Sequence, residues 1–156
     1  MVDPKKINKE FIEKNKNLII SASVDNAKRL YNDAKLLMDN KSYATAHGRI
    51  IEALEELAKA SLLKKDNFSA LKNLANHNKK AIEIMNLSAQ CYQIPTLSQG
   101  KVKWAQERIP QMREDSTYVR LKPTRDNKIK PDNTYWRKRA KSFFNFLKDI
   151  LEKMEN

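Results

Sequence analysis

The sequence contains few of the residues that interrupt secondary structure. Among 156 residues there are only two glycines and five prolines, whereas a sheet protein needs a turn residue about every ten positions. This scarcity argues against a sheet protein and favours long helices joined by few loops. The length lies within the usual range of one domain. We therefore expect residues 1–156 to form a single helical domain.

The chain also lacks the segments typical of membrane and secreted proteins. No apolar run approaches the roughly 20 residues of a membrane span, and the N-terminus, Met1–Asn8, has no apolar stretch of a signal peptide. Cys91 is the single cysteine, and no Cys or paired His lies near it at metal-ligand spacing. The expectation is a cytoplasmic protein with no disulfide, metal, cofactor or membrane partner.

Few residues are suited to acid–base or nucleophilic chemistry. The sequence has no Walker loop, dinucleotide fingerprint, zinc-binding helix or nucleophile elbow. Only His47 and His77 could titrate near neutral pH. His47 lies in a core-type pattern beside Gly48, so we interpret it as structural. Any acid–base chemistry would therefore depend on His77 or on a group with a perturbed pKa.

What the sequence has in excess is positive charge near its C-terminus. The net charge is +12, and residues 101–156 contain fifteen basic against eight acidic residues. From Arg120 to Lys141, nine basic residues face only Asp126 and Asp132, beside the aromatic pair Tyr135–Trp136. Such a cluster suits contact with the phosphates and bases of RNA. The alternative is a charged surface that only keeps the protein soluble.

Apolar residues recur at the three-to-four spacing of amphipathic helices. The pattern extends over Ile7–Met38, Tyr43–Leu62, Ala81–Ala89, Leu97–Met112 and Trp136–Met154, with a shorter stretch at Phe68–Leu74. Ser42 is the predicted N-cap of the second helix, and the short connector Asn40–Ser42 makes the first two helices antiparallel neighbours. Residues 122–133 form a charged loop before the last helix. The predicted fold is all-α, an antiparallel bundle of four to five helices.

Several short segments occur in a characteristic order along the chain. They are Asn26–Leu30 with Asp33–Ala34, Tyr43–Ala46, Leu54–Ala60, His77–Lys80 and Arg113–Val119. In this order they resemble the AbiV family of phage abortive-infection proteins, within the HEPN superfamily of helical bundles. The resemblance covers the chain from about residue 26 to the C-terminus.

The resemblance implies a candidate active site. Many HEPN domains are metal-independent ribonucleases in which an Arg is followed four to six positions later by a His. Arg113 fits this pattern, but the later position holds Tyr118, whose phenol, with an ordinary pKa of about 10, is a poor base at neutral pH. His77 could supply the imidazole if its helix packs against the helix of Arg113. The candidate catalytic residues are therefore Arg113, Tyr118 and His77.

Two further groups of residues complete the predicted site. Candidate RNA-binding residues are Lys80, Arg120, Lys128, Lys130 and Arg137. Glu55, Glu56 and Lys59 form a predicted polar network on the second long helix, with Glu55 and Lys59 as an i,i+4 ion pair. This network either orients the catalytic groups or only fastens neighbouring helices to each other.

The resemblance and the charge together predict a phage-defence effector that acts on RNA or the translation apparatus, as a degenerate HEPN ribonuclease. One alternative is a non-catalytic defence protein that binds a phage-encoded activator protein. Another is a plain RNA-binding bundle. The resemblance and the wide aromatic stripe on the last helix further predict a homodimer.

Overall fold

The computed structural model of this chain describes residues 9–66, 77–95, 97–117 and 133–155, with only the backbone of residues 77–78 and 114–117. These ranges contain six helices and no strand: α1 (Lys9–Lys14), α2 (Lys16–Asp39), α3 (Tyr43–Lys64), α4 (His77–Cys91), α5 (Gln99–Thr117) and α6 (Asn133–Glu155). The all-α prediction is confirmed. The predicted helix at Phe68–Leu74, the loop 122–133 and any strand near Tyr118 lie outside the described residues.

The predicted first helix is divided in two at Asn15. This residue has φ −108° and ψ 15°, and its side-chain amide donates to the Phe11 carbonyl over 2.8 Å. Asparagine competes with the helix for backbone hydrogen bonds in this way. The backbone bonds nevertheless continue across the break, from Asn15 to Phe11 and from Ile19 to Asn15. The segment predicted as one helix is therefore two helices, α1 and α2, because the sequence pattern does not show this local competition.

The chain reverses between α2 and α3 through a Schellman motif. Lys41 has a positive φ of 60°, its amide donates to the Met38 carbonyl, and the Ser42 amide donates to the Leu37 carbonyl. These bonds satisfy carbonyls that the end of α2 would otherwise leave without partners. Ser42 occupies the N-cap position of α3, as predicted, but its side chain makes no capping hydrogen bond. The helix pair is antiparallel because this turn is so short.

Helix α3 lies at the centre of the bundle. It contacts α2, α4, α5 and α6, and thirteen of its residues are buried. The largest fully buried side chains of α3 are Ile50, Ile51, Leu54, Leu57, Leu63 and His47. A helix surrounded on nearly all sides must be apolar on nearly all sides. The few polar residues that α3 buries therefore require an explanation.

The aromatic stripe of α6 packs largely against the core of the same chain. Trp136, Leu147 and Leu151 are buried, while Phe143 and Phe144 are half-buried against that core. The Phe144 ring stacks on Tyr31 of α2 with centroids 4.6 Å apart. The stripe predicted as core or interface is therefore core in its greater part.

Candidate functional site

A buried carboxylate on α3 is the focus of the site. Glu55 is only 8% exposed, and an ionised carboxylate at such a position must be paired to be tolerated. Its Oε2 atom lies 3.3 Å from Nη1 of Arg113 on α5 and 3.9 Å from Nζ of Lys80 on α4. Glu55, Lys80 and Arg113, here termed the Glu55 cluster, thus join three helices through one oxygen atom.

The exposure of the side chains in the Glu55 cluster increases from Glu55 through Lys80 to Arg113. The side chains of Glu55 and Lys80 are 9% and 17% exposed, whereas that of Arg113 is 37% exposed. The Arg113 guanidinium donates to Glu55, and about a third of the Arg113 side chain is exposed. Since a guanidinium has five N–H donors in a fixed fork, it can contact Glu55 and an incoming anion together.

Lys59 pairs with a different carboxylate from the predicted one. Its Nζ lies 2.6 Å from Oε2 of Glu56, an i,i+3 pair in which both side chains are about one quarter exposed. The predicted Glu55–Lys59 pair was wrong because Glu55 turns toward α4 and α5. Among these five residues, the three cations Lys59, Lys80 and Arg113 exceed the two carboxylates of Glu55 and Glu56 by one formal charge. Such an excess favours an anionic ligand.

The environment of Lys80 weakens its hold on a proton. Burial is the main cause that lowers its pKa below the ordinary value of 10.5; the charges of Lys59 and Arg113 act in the same direction, while Glu55 and Glu56 oppose it. The ammonium form is disfavoured because the site is partly dry. An anion bound beside Lys80 would relieve this cost.

Replacing Glu55 by Gln is expected to lower the free energy of unfolding by about 1–2 kcal/mol, because Arg113 and Lys80 lose their shared anion in a partly screened site. The pKa of Lys80 should fall further, since Glu55 raises it. Urea denaturation and an NMR titration of the Lys80 ammonium group measure the two effects. Glu56→Gln is the matched control and should change both quantities less; equal effects would contradict the central position of Glu55.

Only two of the remaining predicted site residues, His77 and Arg137, lie in described helices. His77 is the first residue of α4, three positions before Lys80, and α4 packs against α5, which carries Arg113. The helix contact that the prediction required is therefore present, although the His77 side chain lies outside the described residues. Arg137 is exposed near the start of α6. Tyr118, Arg120, Lys128 and Lys130 also lie outside the described residues.

A second buried carboxylate was missed by the sequence analysis. Glu83 on α4 is 3% exposed and accepts hydrogen bonds from the Ser61 hydroxyl at 2.5 Å, from Lys65 Nζ at 2.6 Å and from Asn86 Nδ2 at 3.0 Å. The only sequence feature that pointed to burial of Glu83 was its position directly before Ile84 in the apolar pattern of this helix. With both oxygens occupied, Glu83 connects α3 to α4 and has a structural role.

His47 lies in the apolar core. Its ring is 0% exposed and packs 5.3 Å from Trp136 and 5.1 Å from Phe143, measured between centroids. Neither ring nitrogen has a hydrogen-bond partner among the described residues. Burial, aided by the charge of Arg139, lowers the His47 pKa to about 4. The imidazole is neutral at physiological pH and is structural, as the sequence indicated.

Metal-binding groups and membrane-spanning helices were sought in the described ranges. Within them, no group of three or more His, Cys, Asp or Glu side chains is arranged to hold a metal ion. In the same ranges, no helix combines the length and the apolar character that crossing a bilayer requires.

Comparison with known proteins gives a family but no individual relative. Searches of curated proteins and of solved structures found no significant match. Residues 17–151 match the profile of the HEPN family described as AbiV. The match extends from the start of α2 into the last turns of α6 and includes all three residues of the Glu55 cluster. On this match over most of its length, the chain belongs to the AbiV family of HEPN proteins.

Proposed function

We propose that this protein is a phage-defence effector that acts on RNA through the Glu55 cluster. The observation that carries the proposal is that Arg113 and Lys80 converge on the buried Glu55 carboxylate, with the Arg113 side chain 37% exposed at the surface. The excess positive charge around it fits a phosphate, and membership of the AbiV family supports a role in abortive infection.

The geometry suits recognition of a phosphodiester. Arg113 can donate two parallel N–H bonds to phosphate oxygens, the arrangement in which guanidinium groups bind phosphate best. Glu55 restricts the rotamers of Arg113, so less entropy is lost when the anion binds. Lys80, anchored beside the same carboxylate, adds a second cation at the base of the site.

Cleavage would require two proton transfers in addition to phosphate binding. The 2′-hydroxyl must lose a proton as it attacks phosphorus, and the leaving 5′-oxygen must gain one. We assign these transfers to His77, which lies one helical turn before Lys80, because histidine is the side chain best suited to exchange protons near neutral pH. Tyr118, five positions after Arg113, would donate a hydrogen bond to the phosphate. The activity is then that of a metal-independent endoribonuclease.

A second candidate function rests on a different aspect of the same contacts. Both cations are already paired with Glu55, which is also what a purely structural tie between helices would show. In that case the protein is a non-catalytic defence protein that binds a phage-encoded protein through another surface.

Replacing Arg113 by Ala distinguishes these functions. We expect about 10- to 100-fold weaker binding of single-stranded RNA, the range of one lost charge-assisted contact, together with loss of phage protection. Arg113→Lys should restore only part of the binding, because an ammonium group lacks the planar fork. Arg29→Ala, which removes an exposed arginine paired with Asp33 on α2, is the matched control. Fluorescence anisotropy and plaque counts measure the two effects.

Measurements of RNA cleavage and of phage protection separate the three candidate functions. RNA cleavage that persists in EDTA and disappears in His77→Ala supports the ribonuclease, whereas RNA binding without cleavage supports a plain RNA-binding bundle. If Arg113→Ala unfolds the protein while His77→Ala and Tyr118→Phe keep full protection, the cluster is structural. The protein-binding function then replaces the proposal.

A further inference from the structure

A cleft lies between the end of α4, the first half of α5 and the middle of α6. It has a volume of about 260 Å³. The lining residues that bear on its chemistry are Ser88, Tyr92, Trp104, Ser142, Phe143 and Phe146. Three helices therefore contribute to one pocket, and none of its lining residues belongs to the Glu55 cluster.

Four of the nine residues that line this cleft are aromatic, and two of the four rings are partly open to water. Tyr92 is 50% exposed and Trp104 is 38% exposed, whereas Phe143 and Phe146 are half-buried with centroids 6.5 Å apart. The Tyr92 hydroxyl donates to Oδ2 of Asp149 over 2.9 Å, which fixes the ring 6.2 Å from Phe146. Exposed, pre-oriented aromatic rings at a concave site favour a ligand with flat apolar faces.

Polar groups and charge restrict the class of ligand further. The hydroxyls of Ser88 and Ser142 can each donate or accept a hydrogen bond at the edge of a planar ring. Lys101 and Arg108 lie three positions before and four positions after Trp104, on the same face of α5, and Glu107 lies between Trp104 and Arg108 on that face. On α6, residues 133–147 include four basic residues, and the first acidic residue of the helix is Asp149, which accepts the hydrogen bond of the Tyr92 hydroxyl. The cleft therefore suits a planar heterocycle attached to an anionic chain.

We infer that the cleft binds an unstacked nucleobase of single-stranded RNA, with the adjoining phosphates on the basic residues of α5 and α6. Bases that leave the helical stack commonly insert between aromatic side chains, and every base offers a π-face for this contact. The inference rests on RNA as the target of the proposed function, but it adds a second contact site that acts on the base and not on the scissile phosphate.

The test compares a fluorescent oligouridylate with an abasic ribose-phosphate oligomer of the same length. Trp104→Ala is expected to weaken binding of oligouridylate about 5- to 100-fold, the range for loss of one stacked base, and to leave binding of the abasic oligomer unchanged. Trp104→Phe should restore most of the affinity. Ser142→Trp, which adds bulk at an exposed lining position, should weaken oligouridylate binding without removing a core residue. Leu36→Ala, at an exposed apolar position of α2, is the control.

Three results would overturn the inference. The first is equal affinity of the wild-type protein for both oligomers, and the second is unchanged oligouridylate binding in Trp104→Ala. The third is equal weakening of both oligomers in Trp104→Ala together with a smaller sedimenting species than the wild-type protein, which would make the cleft an interface between two copies of the chain. A different measurement shows whether the proposed function fails. In that case Arg113→Ala keeps phage protection, whether or not the protein binds oligouridylate more tightly than the abasic oligomer.

Discussion

Acidification from pH 6.5 to pH 4 is expected to remove about 3 kcal/mol of unfolding free energy through His47 alone. The folded-state pKa of His47 is about 4, because the ring is buried among Trp136 and Phe143 and faces the charge of Arg139. The unfolded chain has the ordinary value of 6.5. Well above pH 6.5 His47 is neutral in both states and causes no pH dependence. Between the two pKa values only the unfolded state takes up the proton, so stability falls.

The measurement is urea denaturation at pH 7, 6 and 5 for the wild-type protein and for His47→Leu. Carboxylates titrate in both proteins and cancel in the difference. The wild-type protein should lose about 2 kcal/mol more than the variant between pH 7 and pH 5. Parallel pH profiles of the two proteins would show that His47 is protonated at little cost in the folded state.

Replacing Leu147 by Ala is expected to lower the free energy of unfolding by about 2–5 kcal/mol. Leu147 is 0% exposed and belongs to the main core, where α6 packs against α3. The loss combines the transfer free energy of the removed methyl groups with a cavity that a close-packed interior cannot fill. Urea denaturation monitored by far-ultraviolet circular dichroism provides the value.

Leu36 provides the matched control for this substitution. It is also a helical leucine, but its side chain is 63% exposed on α2. Leu36→Ala should change the unfolding free energy by no more than about 0.5 kcal/mol. Similar losses for the two variants would mean that α6 does not pack on α3 as described.

Helix positions were predictable because each depends on local periodicity. The stripe from Trp136 to Met154 and the short connector Asn40–Ser42 gave α6 and the α2–α3 pair directly. The division at Asn15 was missed, since it depends on a single side-chain hydrogen bond. The absence of a side-chain cap from Ser42 was missed for a similar reason: residue type shows which bonds are possible but not which rotamer is adopted.

The candidate site was predictable in its members but not in its contacts. Glu55, Lys80 and Arg113 were all selected from the sequence, but Arg113 lies 58 positions from Glu55. Local spacing favoured Lys59 as the partner of Glu55. Tertiary packing decided otherwise, because only the docking of α4 and α5 brings two cations to the buried face of α3. The aromatic cleft was missed for the same reason, since its rings come from three separate segments.

The central position of α3 also bears on the order in which the molecule assembles. Helices α2 and α3 are joined by a turn of three residues, so their contacts are local and close with little loss of chain entropy. Helices α4 and α5 must then dock from farther along the chain. Glu55 is thus present on an early hairpin, whereas Lys80 and Arg113 reach it only when docking is complete. The proposed anion-binding site is therefore a property of the finished fold, and a partly folded or newly made chain would carry the same charges without bringing them together.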